Sequence, residues 1–179
     1  MKFNIYFLGL MLVLLFTITV TGCSHDTNEQ NYLDEEVNLD FEVQYIRTNA
    51  FTDGKSYPTI SLVTSTEELS TYYIDNKDAY DLEKKEVVYS DSTIGFLDAV
   101  DKYDDVFFRD NVVVFVLLQE DSGSIRHIIT DIKRNKSLVD ISVKRIVPQY
   151  TTDDMAEWHV MVELKRDTYN ASEIKVVFE

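Results

Sequence analysis

The chain has a single cysteine. One thiol cannot close an intrachain disulfide or build a multi-cysteine zinc site, so stability must come from packing. Basic residues are also scarce: 17 Lys and Arg stand against 32 Asp and Glu, for a net charge of −15. So acidic a chain argues against nucleic acid as a partner, because phosphates need Lys and Arg to replace their counterions. It argues equally against lying flat on anionic lipid. Catalytic signatures are missing too. No HExxH, GxSxG, P-loop or EF-hand pattern occurs. Asp75, Asp78 and Asp81 lack the alternating ligand order of a calcium loop. There is no internal repeat and no low-complexity tract.

What is present begins at the N-terminus. Met1 and Lys2 carry positive charge, residues 5–20 are mostly apolar, and Val20-Thr21-Gly22-Cys23 closes the segment. This has the shape of a signal peptide. A spanning helix needs roughly 20 apolar residues; the run is shorter, and Thr17, Thr19 and Thr21 weaken it further. Small residues leading to a lone cysteine behind a short apolar run resemble the lipobox of a bacterial lipoprotein precursor. That resemblance implies cleavage before Cys23 and lipidation of its thiol by a diacylglyceryl group. Two acyl chains anchor stably where one binds only marginally. Removing residues 1–22 from the 179 leaves 157 and shifts the charge from −15 to −16. The alternative is an uncleaved anchor helix with Cys23 incidental. Either way, residues after position 23 lie outside the cytoplasm.

The mature chain is long enough for one domain with a real core. Residues 23–40 are the lipidated cysteine and an acidic stretch without periodicity, expected to be a flexible tether. Residues 41–179 are expected to form a single domain. Phe41 to Ile46 and Thr59 to Val63 read as strands. Ser65-Thr66-Glu67-Glu68 matches a capping box and predicts a helix from Thr66 to about Ile74, with Leu69 and Tyr73 on one face. Val87 to Tyr89 reads as a short strand. Phe96, Val100 and Tyr103 fall at helical spacing and predict a second helix over 93–103, extended by a turn through Phe108. Asn111 to Leu118 is apolar at nearly every position, the mark of a strand covered on both faces. From Ile125 the chain reads as an antiparallel meander: 125–133, 138–147 with Val139, Ile141, Val143 and Val147 on one face, 156–164, and a closing strand over 174–178. Trp158 takes the apolar face of its strand, and Glu157, His159, Met161 and Glu163 the polar one. Arg145 sits on an apolar face and is expected at the sheet rim, its stem covering apolar surface.

The densest polar constellation is Ser122, Ser124, Arg126 and His127 together with Asp153, Asp154, Trp158 and His159. These eight define the candidate binding surface. A catalytic or metal reading would use His127, His159 and Asp153 or Asp154 as ligands, or as base and orienter. The bland reading makes the histidines surface or rim residues and gives Ser122 and Ser124 to a turn. Trp158 and the 11 tyrosines could offer a sugar or peptide platform, though most aromatics sit at core-like spacing.

The run Phe107-Phe108-Arg109-Asp110-Asn111 with its valine-rich continuation to Leu118, then Ser122-Gly123-Ser124-Ile125-Arg126, then paired strands and Asp154-Met155-Ala156-Glu157-Trp158-His159-Val160, resembles lipoproteins of Firmicutes. More distantly it is similar to the C-terminal domain of the PrcB protease-complex family. The resemblance covers about residues 59–165. It implies a role in stabilising or assisting a protease complex at the cell envelope, and it brings no catalytic residues.

The expected fold is therefore α+β: a mostly antiparallel sheet, curled into a sandwich, with two short helices packed on it. The expected function is that of a membrane-anchored, extracytoplasmic, non-enzymatic interaction or protease-accessory module. It needs no cofactor or metal, and its partners are the membrane through Cys23 and an envelope protein. The competing expectation is an envelope hydrolase or metal-dependent enzyme using His127, His159 and Asp153. A transporter's solute-binding protein is disfavoured, because 157 residues are too few for the usual two-lobed cleft.

Overall fold

The computed structural model describes residues 36–48, 54–83, 94–171 and 173–179. The apolar leader, Cys23, the tether up to residue 35 and the strand expected at Val87 to Tyr89 lie outside them. Eight strands and three helices follow in the order β1 (Val37–Asn38), β2 (Phe41–Thr48), β3 (Thr59–Val63), α1 (Thr66–Asn76), α2 (Phe96–Val100), α3 (Asp105–Asp110), β4 (Asn111–Glu120), β5 (Arg126–Asn135), β6 (Leu138–Ile146), β7 (Ala156–Lys165) and β8 (Glu173–Phe178). The fold is α+β, with two four-stranded, mostly antiparallel sheets packed as a sandwich. One sheet has the order β1-β5-β6-β8; the other, β2-β7-β4-β3, also carries the helices on its outer face.

The layering explains β4. Val112, Val114, Val116 and Leu118 point into the space between the sheets. Val113, Phe115 and Leu117 point the other way, into a second core under the helices. A strand with side chains alternating into two cores must be apolar throughout. Each such burial contributes roughly 1.5–3 kcal/mol. The inner core is completed by Ile129, Ile132, Val139, Ile141, Val143, Trp158, Val160, Val162 and Leu164.

Helix α1 starts as its capping box requires. Ser65 Oγ accepts from the Glu68 N–H at 3.1 Å, and Glu68 reaches back to the Thr64 N–H at 2.7 Å. The expected second helix is two helices. Asp104 takes extended backbone and accepts from the Phe107 N–H at 2.8 Å, so it caps a new helix, α3, instead of continuing α2.

Four further expectations are corrected. Val37–Asn38 pairs with β5, and Leu39 is buried in the inner core, so residues 36–40 belong to the folded domain and not to the tether. The meander is limited to β5 and β6. Strand β7 crosses to the other sheet and inserts between β2 and β4, and β8 returns to pair with β6 in parallel. Val147 lies past the end of β6 and is 52% exposed. The largest correction concerns the polar face of β7. Glu157, His159, Met161 and Glu163 are all buried, because the helices and the segment around residues 54–83 close over them.

Candidate functional site

The polar chemistry collects at the two ends of the helix-covered sheet. Thr48 pairs with Glu157 and Glu120 with Ala156 at one end. Phe41 pairs with Leu164 and Asn111 with Lys165 at the other.

At the first end the β4–β5 turn is stitched to the β6–β7 loop. Ser122 is buried, and its Oγ accepts from the Thr152 N–H at 3.0 Å and the Ser124 N–H at 3.3 Å. It also contacts the Ser124 and Thr152 hydroxyls at 2.9 and 3.0 Å. Such a hydroxyl organises two loops; no histidine touches it to make it a nucleophile. The Gly123 N–H donates to the Asp154 carbonyl oxygen at 2.7 Å, and Asp154 pairs with Arg47. Hydrogen bonds from Thr152 and then Arg47 hold the Asp154 carboxyl below its usual range. Arg126 donates to the Gly123 carbonyl at 2.6 Å and lies over the Trp158 ring at 5.0 Å. Asp153 stays exposed. A Cβ at position 123 would overlap Arg47 Nη2 and Asp154 Oδ2. Gly123→Ala should therefore push the tips of these two flexible side chains apart and lower the unfolding free energy by about 1 kcal/mol or less, read from urea unfolding.

Beside this corner lies a buried carboxylate. Glu120, 6% exposed, receives Arg145 Nη2 at 2.7 Å and Nε at 2.9 Å, and meets His127 Nε2 at 2.7 Å. The rim position expected for Arg145 is where it lies, but its guanidinium also neutralises Glu120, whose hydrogen bond holds Arg145 above its usual range. His127 is buried, not a surface residue, and its ring meets Trp158 edge-on at 6.2 Å. Burial outweighs Glu120 and pushes the His127 pKa down. A closed Glu–His–Arg cluster of this kind fixes strand ends; its histidine side chain is wholly covered and cannot reach a substrate.

His159 lies across the sheet from Trp158, among the Tyr80, Phe96 and Tyr72 rings at 4.9, 5.8 and 6.1 Å. It is fully buried, and neither ring nitrogen has a hydrogen-bond partner. Burial pushes its pKa down to about 3, so the imidazole is neutral. The surface position expected for it is thus wrong: aromatic packing has replaced solvent. Around it Tyr57 donates to Glu157 and Lys55 donates to Tyr80. Burial first, and the neighbouring Glu157 second, raise the Tyr57 pKa.

Of the eight candidates, Ser122, Ser124, Arg126, His127, Asp154 and Trp158 come together at this end. His159 faces the other core, and Asp153 faces solvent. The trio needed by the metal-dependent reading is not assembled, since His127 is bound to Glu120 on one side of the sheet and His159 sits among rings on the other. Among the described residues, no group of three or more His, Cys, Asp or Glu side chains is arranged to hold a metal ion.

The opposite end is open. A cleft of about 430 Å³ is lined by Asp40, Phe41, Glu42, Lys102, Phe107, Asn111, Glu163, Leu164 and Lys165. Glu163, 8% exposed, lies in its wall. Its Oε1 accepts from Lys102 Nζ at 2.6 Å, Tyr103 Oη at 2.9 Å and Gln44 Nε2 at 3.3 Å. Burial, then Glu163, raise the Tyr103 pKa. Sequence reasoning missed this site, because Glu163 looked like one more residue of a wet strand face. Its partners lie 60 and 119 positions away along the chain.

No family model, curated protein or solved structure matches this chain.

Proposed function

We propose that this chain is an extracytoplasmic lipoprotein, anchored through Cys23, that acts by binding an envelope partner and not by catalysis. The PrcB-like resemblance suggests a component of a protease complex as that partner. The observation that carries the binding half is the contrast between the two ends of the helix-covered sheet. His127, Ser122 and Glu120 are held in internal contacts at one end, whereas the other end opens into a cleft with a buried charge in its wall. Clefts with a few convergent polar groups are the usual form of a binding site. The leader sequence supports the anchor, since a lone cysteine directly follows Val20-Thr21-Gly22.

Fractionation of cells expressing the full chain tests the anchor. The parent should sediment with membranes, and Cys23→Ala should lose most of that association, because two acyl chains supply the anchoring energy. A Cys23→Ala protein held as firmly as the parent would remove the anchor from the account. Crosslinking in intact cells followed by pull-down tests the binding half. One recurrent envelope protein is expected; turnover of a wall substrate with no captured protein would favour an enzyme instead.

A further inference from the structure

His159 sits at the seam between two layers. Its strand, β7, runs between β2 and β4 and is held by pairing on both sides. The rings around its imidazole come from the covering layer instead: Tyr72 from α1, Tyr80 from the turn after α1, and Phe96 from α2. The inner core between the two sheets uses none of these three rings.

The covering layer is weakly held. No residue of α1 is fully buried, and the helix rests on the sheet through half-buried Leu69, Tyr72 and Tyr73. Beneath it, the Tyr72 hydroxyl and both His159 ring nitrogens are buried without a hydrogen-bond partner. Each of these atoms has given up water and gained nothing, a cost that vanishes when the layer lifts. Segments that bury little of themselves are the ones that open locally. Among the described residues, the titratable and charged groups facing His159 are Lys55 and Tyr57 from the segment before β3, Tyr72, Tyr80, and Glu157 two positions away on β7. Glu157 accepts from Tyr57, not from the imidazole. Exposed Lys55 donates to Tyr80, lies 4.3 Å from the centre of its ring, and opposes a second cation at His159. Burial raises the Tyr57 and Tyr72 pKa, so both hydroxyls stay neutral. An imidazolium formed here has no acceptor while the layer is closed, and water supplies one when it opens.

We propose that protonation of His159 lifts the covering layer while the sandwich stays folded, so that acid exposes the apolar sheet face of Ile46, Phe115, Leu117 and Met161. This inference uses neither the Cys23 anchor nor the cleft. With the layer open, His159 meets water and takes its proton at about pH 6.5, as in an unfolded chain. With it closed, burial first and Lys55 second hold the value at about 3. Between these values each unit of pH lost favours the open state by about tenfold, so opening becomes about 25-fold more frequent at pH 5 than at pH 7.

Hydrogen exchange of the full chain in detergent, read by mass spectrometry at pH 7 and pH 5 and corrected for intrinsic rates, tests this. Peptides from α1 should lose about 25-fold in protection at pH 5. They should also be less protected than peptides from β5 and β6 at both pH values, by at least about tenfold. His159→Leu should abolish the pH response of α1. One protection factor shared by α1, β5 and β6 would mean that only global unfolding exposes His159, and would overturn the proposal. So would α1 protection that does not change with pH, or a response that survives in His159→Leu. Should the leucine variant fail to fold by circular dichroism, the comparison of α1 with β5 and β6 in the parent decides by itself.

Discussion

Urea unfolding of the full chain should show stability falling steeply as the pH drops from about 6.5 toward about 3, and His159→Leu should remove most of that dependence. The folded protein holds His159 as the neutral imidazole with its pKa depressed to about 3. The unfolded chain binds a proton near the ordinary value of about 6.5. Stability from this group is therefore fully present above about 6.5 and is lost as the pH falls through the window, because only the unfolded state can take the proton. The full loss is on the order of 4 kcal/mol, a large share of a domain's 5–15 kcal/mol. His127, also depressed by burial, acts with the same sign. The leucine variant should match or exceed the parent at pH 7, since His159 makes no hydrogen bond that would be lost. The lone tryptophan, Trp158, is buried at 1% exposure and reports unfolding by its fluorescence. Parallel loss of stability in parent and variant across this window would show that His159 is not the acid-sensitive group.

Trp158→Ala should cost about 3–5 kcal/mol, read as a lower urea midpoint by circular dichroism. Trp158 bridges the two halves of the structure: it belongs to the sheet that carries the helices, yet its ring fills the space between the sheets. Arg126 lies over it and His127 meets its edge, both from β5 in the facing sheet. Truncation leaves a cavity bounded by two rigid sheets that cannot collapse into it. It also removes the ring that the His127 imidazole meets edge-on. Trp158→Phe should cost much less, because it keeps most of the volume and deletes an indole N–H that has no partner. A midpoint for Trp158→Ala near that of Trp158→Phe would mean that the sheets do repack.

The parts of this fold legible in the sequence are those governed by local rules. Strand β3 and the start of α1 are stated by Thr59 to Val63 and by the Ser65–Glu68 cap, each decided within a few residues. The unbroken apolar run of β4 announces a strand covered twice. What was illegible depends on distant partners. Alternation along β7 says only that Glu157, His159 and Glu163 share a face, and a wet face is the usual inference for such residues. They are buried because Tyr57 reaches Glu157, because rings from α1, α2 and the Tyr80 turn surround His159, and because Lys102, Tyr103 and Gln44 converge on Glu163. Strand β8 illustrates the same limit, since nothing in Glu173 to Phe178 distinguishes a parallel partner from an antiparallel one. The candidate site was half legible for this reason. Ser122, Arg126 and Asp154 meet because turns carry them, whereas the cleft at the far end is built from β2, β4, β7, α3 and the segment preceding α3.

The proposed anchoring and binding are mutually consistent: an acidic domain held by a tail would be stood off from anionic lipid by its own charge, leaving the cleft at one end of its sheet accessible. The measurement that reaches the root of this account is the intact mass of the native protein extracted from membranes. The mass expected is that of residues 23–179 bearing a diacylglyceryl group on Cys23. A mass corresponding to an unmodified chain that still carries residues 1–22 would contradict it.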